Sequence, residues 1–247
     1  MALDEYRRKR DFSKTPEPAP EAGRSKSGEL FFCVQKHLAT HLHYDLRLEH
    51  NGVLLSWAVP KGPSLDPTIK RLAMHVEDHP LAYGDFEGVI PEGYGAGIVM
   101  LWERGTWMPQ VPDVDAALKK GDLKFTLNGY KLKGSWVLVR TSGRYAGNRA
   151  PGAGADGRTW LLIKHRDEWS GELDIAEFAP LSVKSEGHFE DILAADTPAI
   201  WMTNRPAKSG ETGEMLAAII ERAAKLKAGR EKGETTKRPR KTRARSR

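Results

Sequence analysis

Alternating apolar and polar residues mark eight short strand candidates between Leu30 and about Trp169. In chain order the segments read LFFCVQK, HYDLRLEH, VLLSWAVP, RLAMHVED, GIVMLWERGTW, LKFTL, SWVLVRT and TWLLIKHR. Turns rich in glycine, proline and asparagine separate them, as is typical of β-hairpins. Many short strands at this spacing predict a mainly β protein, built as a compact antiparallel barrel or sandwich.

Turn and helix signals fill the spaces between these strands. Asn51-Gly52 and Asn128-Gly129 each predict a hairpin turn, because a type I′ turn needs positive φ at both central residues. The segment PDVDAALKKG predicts a short peripheral helix that ends at Gly121. Near the C-terminus, GEMLAAIIERAAKLKAG has the apolar spacing of an amphipathic helix.

Composition divides the chain into four predicted segments. Residues 1–28 form a polar lead segment rich in proline, serine and charge, and residues 29–170 form the β domain. A C-terminal extension with the amphipathic helix follows at residues 171–228. Residues 229–247 form a basic tail without apolar side chains larger than alanine, so we expect it to be disordered.

The positive charge of the protein is concentrated in its last residues. The 247-residue chain carries a formal charge of +6, yet residues 222–247 hold 12 Lys and Arg against two Glu, a net +10. The other residues therefore carry a net −4 (27 basic against 31 acidic). This distribution predicts a sequence-independent phosphate-binding arm, with a merely solubilising tail as the alternative.

Several classes of protein are excluded by what the sequence lacks. No apolar run approaches the roughly 18 residues of a membrane span, and the N-terminus MALDEYRRKRDF is not a secretory signal. The single cysteine, Cys33, excludes a disulfide framework and a cysteine-based zinc or iron–sulfur site. We expect a cytoplasmic protein.

The candidate chemistry lies in a cluster of histidines, since six of the eight fall within residues 37–79. On the strand HYDLRLEH, alternation places His43, Asp45 and Arg47 on one face. An imidazole and a carboxylate two residues apart can reach one cation, and His37 can supply a third ligand across the LATHL bend. Such ligands suit Mn, Fe, Zn or Co. The competing interpretation is an amphipathic strand whose polar face lies in water.

The segment RLAMHVEDH repeats this arrangement. Its alternation predicts an apolar face of Leu72, Met74 and Val76 and a polar face of Arg71, His75, Glu77 and His79. Two strands with histidine, acid and arginine on one face predict a shared polar pocket. We therefore favour a metal site over a solvated sheet.

The longest motifs carry a resemblance to a known family. QKHLATHLHYDLRLEHNGVLLSWAVPKGPS and RLAMHVEDHPLAYGDFEGVIPEGYGAG resemble the 3′-phosphoesterase domain of bacterial DNA ligase D. The resemblance runs from Arg10-Asp11-Phe12 through WLLIKHRDEW, about two thirds of the chain. It implies a small antiparallel β-barrel that trims DNA 3′ ends with Mn²⁺ during non-homologous end joining. The implied reactions remove a 3′-terminal ribonucleoside and then the remaining 3′-phosphate.

The resemblance also implies roles for individual residues. The implied metal ligands are His37, His43 and Asp45. The implied phosphate-contacting and catalytic residues are Arg47, His79 and Tyr83, and we add Glu77 as a candidate. The implied supporting polar residues are Gln35, Lys61, Arg71 and Glu77. The implied functional residues of the lead segment are Arg10, Asp11 and Glu17. Manganese rests on the resemblance alone, because the same ligands accept other divalent transition metals.

Two departures from the family pattern affect the expected partners. The chain ends at Arg247 without ligase or polymerase modules, and about 75 residues follow the last matched motif. We therefore expect a monomer that acts on DNA 3′ ends (primer-templates with a 3′-ribonucleotide or 3′-phosphate). Its partners would be a Ku-type end-binding protein and a separate ligase or polymerase.

Two other functions remain open at this stage. Two histidines and one carboxylate are also the ligands of non-haem iron oxygenases, although Arg47 and Arg71 add positive charge suited to phosphate. A non-catalytic DNA-end binding module with a structural metal is the second alternative, which a fully ligated site would favour.

Overall fold

A computed structural model describes residues 28–90, 97–141, 157–195, 219 and 221–229 of the chain. The predicted lead-segment residues Arg10, Asp11 and Glu17 lie outside the described residues. So does the basic tail beyond residue 229.

The described residues form ten strands in one antiparallel sheet. Their bounds are β1 Leu30–Leu38, β2 Leu42–His50, β3 Val53–Val59, β4 Arg71–His75, β5 His79–Pro80, β6 Gly88–Ile90, β7 Gly97–Pro109, β8 Asp122–Gly129, β9 Lys133–Arg140 and β10 Thr159–Lys164. The eight predicted strands are all present. The two that the pattern did not predict, β5 and β6, have two and three residues, which is too short for an alternation to be seen.

Eight of these strands close into a barrel. The order is β1-β2-β3-β4-β10-β9-β8-β7, and β7 pairs again with β1 to complete the ring. The short strands β5 and β6 pair with β3 and β7 outside the ring. The predicted mainly β fold and its small antiparallel barrel are therefore confirmed.

Alternation along the strands fills the barrel with large apolar side chains. On β2, Tyr44, Leu46 and Leu48 are buried in the same core as Trp57 and Trp136. The intervening residues of β2 point to the outer surface of the barrel, as the sequence predicts. Around Arg47 this outer surface is not in water, however, because the chain between β5 and β6 packs over it.

The predicted faces of β4 are wrong. Ala73 is fully buried in the core, whereas Leu72 is 38% exposed. Arg71 and His75 therefore share the inner face with Ala73, and the His75 ring packs 5.0 Å from the Trp57 ring. The alternation misled because apolar residues stand on both faces of this strand. Its polar residues do not share a face with those of β2.

The first predicted hairpin turn is confirmed in detail. Asn51 and Gly52 have φ of 49° and 79°, and they connect the paired residues His50 and Val53. Positive φ at both central residues is the signature of a type I′ turn.

The second hairpin is present, but its turn lies further along than predicted. Asn128 and Gly129 belong to β8, and the chain reverses at Tyr130-Lys131. The fully buried Glu103 carboxylate accepts the backbone N–H groups of Tyr130 and Lys131 at 3.0 and 2.5 Å. A buried carboxylate thus fixes the turn where the Asn-Gly signal did not.

Short helices and a 3₁₀ turn lie in the connections between the barrel strands and after the last strand. A 3₁₀ turn spans Leu81–Asp85, and helices α1, α2 and α3 span Val114–Lys120, Ile175–Phe178 and Phe189–Leu193. The predicted helix α1 is confirmed: the Asp113 side chain caps its start, and Gly121, with φ of 85°, ends it. Residues 221–229 are helical, within the predicted C-terminal amphipathic helix. None of the helices in the described ranges is long and apolar enough to cross a membrane.

The C-terminal extension packs on the barrel. Ile175, Phe189 and Ile192 join the main core, and the Val183 N–H donates to the Leu101 carbonyl at 2.9 Å. The Trp102 indole donates to the Ala179 carbonyl at 2.8 Å. Residues beyond the predicted β domain are therefore part of the same packed unit.

Candidate metal centre

The hairpin of β1 and β2 brings the three predicted metal ligands together. His37 lies directly opposite His43 in the strand register, and their ring centroids are 4.8 Å apart. Asp45 follows two residues later on the same face. One ligand atom from each of the three residues falls within 4.8 Å of the others. Two imidazoles and a carboxylate at this spacing are suited to a divalent transition metal.

Hydrogen bonding orients the His43 ring toward the cluster. Its Nδ1 lies 2.9 Å from the His41 carbonyl oxygen, which can only accept, so Nδ1 carries the hydrogen. Nε2 then has a lone pair in the neutral ring, and it lies 3.7 Å from Asp45 Oδ1. A backbone carbonyl that fixes the tautomer in this way is a common second partner of a metal-binding histidine.

Asp45 is an ionised carboxylate in a buried place. It is 7% exposed, with its oxygens 3.7 Å from the nearest nitrogens of His37 and His43. Burial alone would raise its pKa, but the Arg47 guanidinium and the two imidazoles hold the pKa of this carboxyl well below its ordinary value. The carboxylate is therefore deprotonated and available for a cation at neutral pH.

Arg47 is held rigidly beside the three ligands. Its Nε donates to Gln35 Oε1 at 2.7 Å, Nη1 to Ser56 Oγ at 2.8 Å and Nη2 to Asp45 Oδ2 at 3.1 Å. The guanidinium also lies 4.8 Å from the centre of the Tyr83 ring. Three donors have fixed partners among the described residues, so two of its five N–H groups are left for a further acceptor.

His79 lies next to this cluster although it belongs to β5 and not to the β1–β2 hairpin. The chain leaves the barrel after β4 and returns as β5, where His79 pairs with Leu54. The His79 Nδ1 faces the Glu77 carbonyl at 2.8 Å and the Ser56 hydroxyl at 3.4 Å. Its ring packs 5.0 Å from that of Tyr83. The structure therefore brings His79 and Tyr83 to the same outer face as Arg47.

Gln35 joins the covering chain to the arginine. Its Nε2 donates to the carbonyls of Tyr83 and Phe86 at 3.0 and 2.9 Å, while its Oε1 accepts from Arg47. Every hydrogen-bonding group of this buried amide is thus used. Gln35 fixes both the guanidinium and the chain that covers it.

Other predicted site residues lie apart from this cluster. Arg71 is on the inner face of the barrel wall, opposite to the face of Asp45 and Arg47. Lys61 is exposed, two residues past the end of β3. Glu77 is half-buried and offers its backbone carbonyl to His79. The single shared pocket predicted from the two segments is therefore wrong for Arg71 and His75.

Sequence reasoning missed Ser56, which is fully buried and contacts both Arg47 and His79. The available signal was a single hydroxyl in the otherwise apolar strand VLLSWAV. Phe86 was also missed, because it contributes its backbone carbonyl, and a backbone carbonyl carries no sequence signal.

The chain is similar in sequence to known proteins. Residues 35–140 match the family model described as the DNA Ligase D 3′-phosphoesterase domain. The chain is similar to the multifunctional non-homologous end joining protein LigD of Pseudomonas aeruginosa, with 49% identity over 216 residues. That match covers 85% of this chain and 24% of the relative.

Mycobacterial proteins are similar over shorter stretches. The multifunctional non-homologous end joining DNA repair protein LigD of Mycobacterium tuberculosis is 46% identical over 142 residues, which is 57% of this chain and 18% of that protein. The corresponding protein of Mycolicibacterium smegmatis is 37% identical over 185 residues, 72% of this chain and 22% of the relative. The chain thus spans a quarter or less of the length of these relatives. Their matches and the family model confirm the resemblance seen in the sequence, and residues 35–140 of this chain belong to the DNA ligase D 3′-phosphoesterase domain family.

Proposed function

We propose that this protein is a metal-dependent phosphoesterase that removes 3′-terminal ribonucleosides and 3′-phosphates from DNA ends. The observation that carries the proposal is the cluster of His37, His43 and Asp45 with the Arg47 guanidinium fixed against it. A cation site beside a preorganised arginine is suited to a phosphoryl group, whose charge both can neutralise.

The metal ligands would be His37, His43 and Asp45, and the family resemblance favours Mn²⁺. When bound, the ion supplies Lewis acidity toward a phosphoryl oxygen and a template for a water nucleophile. The donor set fits this purpose, because the described cluster has three members whereas closed structural zinc sites have four. This count also favours an enzyme over a binding module with a structural metal.

Arg47 would bind and orient the phosphate. Its three hydrogen bonds hold the side chain in place, so little conformational entropy is lost when the remaining N–H groups engage an oxygen. The planar fork suits the bidentate geometry of a phosphate.

His79 would transfer a proton to the leaving oxygen or donate a hydrogen bond to the phosphate. Because Nδ1–H is directed at the Glu77 carbonyl, Nε2 is the nitrogen that can take up a proton and give it back. Packing against Tyr83 holds the ring in place.

The iron oxygenase alternative uses the same ligand set. Arg47 favours phosphoester cleavage over oxygenation. Its guanidinium is fixed 3.1 Å from the Asp45 carboxylate and so favours an anionic substrate at the metal. Arg71, the other arginine used in the sequence argument, lies on the inner face of the barrel wall and adds nothing to this comparison.

The names of the relatives suggest the biological setting. Since the matched proteins are named for non-homologous end joining, we propose that the substrates are DNA ends in that repair pathway. A Ku-type end-binding protein and a separate ligase or polymerase are the partners that we propose.

An assay with end-labelled DNA tests the proposed activity. Primer-templates carrying a 3′-phosphate, a 3′-ribonucleotide or a 5′-phosphate are incubated with Mn²⁺ or with EDTA, in the absence of a 2-oxoacid and of oxygen. We expect the two 3′ ends to be processed only with Mn²⁺ and the 5′-phosphate to persist. Activity that requires oxygen, or equal loss of the 5′-phosphate, would contradict the proposal.

A further inference from the structure

Two residues of the C-terminal extension, Ser182 and Lys184, bind the chain that covers the candidate metal centre, and Val183 between them bonds to Leu101 of β7. We refer to Ser182, Val183 and Lys184 as the clamp and to residues 81–87 as the covering segment. The covering segment contains the 3₁₀ turn Leu81–Asp85, followed by Phe86 and Glu87. About 95 residues of chain separate the two, so their contact is purely tertiary.

Ser182 is the buried hub of the clamp. Its Oγ donates to Glu87 Oε2 at 2.5 Å and accepts the N–H groups of Lys184 and Ser185 at 2.9 and 3.0 Å. The same Glu87 oxygen accepts the Leu101 N–H at 2.8 Å. Glu87 is thereby tied both to the barrel strand β7 and to the extension.

Lys184 adds a second tie at the exposed edge. Its Nζ donates to the Asp85 carbonyl at 2.6 Å and to the Asp85 carboxylate at 2.9 Å. An ion pair with a 41% exposed lysine contributes little stability in solution. The partly buried hydrogen bond from Ser182 to Glu87 is therefore the stronger of the two ties.

The covering segment transmits this restraint to the centre. Tyr83 and Phe86 offer the two carbonyls that hold the Gln35 amide, and the Tyr83 ring lies on the Arg47 guanidinium. Gln35 in turn accepts the Nε–H of Arg47. Asp85 and Glu87, the residues that the clamp binds, directly flank Phe86 and lie within four residues of Tyr83.

We propose that the clamp positions the covering segment, and that Ser182 is a positioning residue for the phosphoesterase reaction. This inference rests on the proposed function. Its physical basis is that a 3₁₀ turn of five residues has few internal hydrogen bonds and takes its geometry from what it is attached to. The match to the family model ends at residue 140, so the clamp lies outside it. The match to the Pseudomonas protein is longer and covers 85% of this chain.

Hydrogen exchange of the full chain tests the clamp without reference to activity. A partly buried hydrogen bond to a carboxylate, such as that from Ser182 to Glu87, is strong enough to change a local opening equilibrium about tenfold. We expect Ser182→Ala to speed exchange in residues 81–87 about tenfold and Ser182→Thr to restore the slow exchange. Ser170→Ala is the matched control, because the Ser170 hydroxyl also caps a turn of the chain, at Asp167.

A second pair of variants covers the case in which Ser182→Ala does not fold. Lys184→Ala removes only exposed contacts, and we expect it to speed exchange of the same residues two- to threefold. Lys225→Ala, which breaks an exposed ion pair with Glu221, is its control. Unchanged exchange of residues 81–87 in both Ser182→Ala and Lys184→Ala would overturn the proposal.

Kinetics distinguish positioning from general stability. With 3′-phosphate DNA and Mn²⁺, we expect Ser182→Ala to lower kcat about tenfold with little change in KM for DNA, at a temperature where the variant is fully folded. The affinity for Mn²⁺ should stay within twofold of the wild type, since the ligands lie on the β1–β2 hairpin. If the wild type lacks 3′-end activity, the proposed function fails while the exchange result still decides the clamp. Faster exchange with unchanged kcat would contradict the role of Ser182 in the reaction.

Discussion

Side chains on the outer face of β2 are buried, and this alters what a substitution there measures. Asp45 and Arg47 are 7% and 2% exposed: Tyr83 of the covering segment lies against Arg47, and His37, His43 and Arg47 surround the Asp45 carboxylate. The alternation of the sequence predicts the face on which they lie but not its cover. Replacing one member of the pair therefore tests stability as well as metal binding, whereas His43, at the edge of the cluster, is less costly to remove.

Asp45→Asn should destabilise the metal-free protein in a pH-dependent manner. The pKa of Asp45 is below the ordinary value of 3.8, so its charge stabilises the fold above about pH 4, and this stabilisation is lost as the pH falls further. We expect the variant to lose about 3 kcal/mol in the free energy of unfolding at pH 7 and less at pH 3. Urea denaturation at the two pH values measures this, and a deficit that grows at pH 3 would contradict the assigned charge.

Arg47→Lys should fail although the charge is kept. An ammonium group cannot bond Gln35, Ser56 and Asp45 at once in the plane that the guanidinium occupies. We expect kcat on 3′-phosphate DNA to fall at least about tenfold. Wild-type turnover in the lysine variant would show that the planar fork is not needed.

Cys33 should be chemically inert in the folded protein. It is fully buried, and burial raises the pKa of its thiol to about 12. Since the thiolate is the reactive form, we expect almost no labelling by a thiol reagent at pH 8 and complete labelling in urea. Rapid labelling of the native protein would contradict the packing of β1.

At the scale of elements, pattern reasoning succeeds where one rule acts alone. The eight barrel strands follow from alternation, and the Asn51-Gly52 turn follows from its φ requirement. Pattern reasoning fails where tertiary contacts determine the structure. One case is β4, whose inner face carries Arg71 and His75. The other is the second hairpin, where the Glu103 carboxylate binds the backbone of Tyr130 and the turn forms there. A buried carboxylate that accepts backbone N–H groups has no local signature in the sequence.

Gly105→Ala tests the packing between β7 and β8. A Cβ at residue 105 would lie 2.2 Å from the Asn128 carbonyl oxygen, which is backbone and cannot move without breaking the pairing. We expect a loss of at least about 2 kcal/mol in the free energy of unfolding. Gly171→Ala, where the added Cβ meets nothing within 4 Å, is the control and should change stability by less than about 0.5 kcal/mol. Equal stability of the two variants would contradict the register.

At the scale of the whole molecule, barrel closure and the extension assemble one site from distant parts of the chain. The predicted ligands His37, His43 and Asp45 were accessible to sequence reasoning because they are adjacent on one hairpin. Ser56 and the clamp were not, since their contacts depend on how β3, β7 and residues 182–184 meet in three dimensions. The local sequence pattern thus predicts the metal ligands of a site better than the residues that hold them in position.

The basic tail gives a prediction that is separable from the chemistry. Ending the chain after Lys227 removes nine Lys and Arg residues. By counterion release, the slope of log K against log salt for DNA binding should become shallower by at most about 8, with kcat at saturating DNA unchanged. Fluorescence anisotropy over a range of salt concentrations measures the slope. An unchanged slope would leave the tail a solubilising or partner-binding segment.

The central claim is that the His37, His43 and Asp45 cluster makes the removal of a 3′-phosphate dependent on a metal. The most direct measurement is phosphate release from 3′-phosphate DNA as a function of Mn²⁺ concentration for the wild type, His43→Ala and His50→Ala. His50 lies on the same strand but pairs with Asp115 at 3.1 Å, away from the cluster. We expect Mn²⁺-dependent release by the wild type and by His50→Ala, and none by His43→Ala at any concentration at which that variant remains folded. Near-wild-type release by His43→Ala would contradict the assignment of the metal centre.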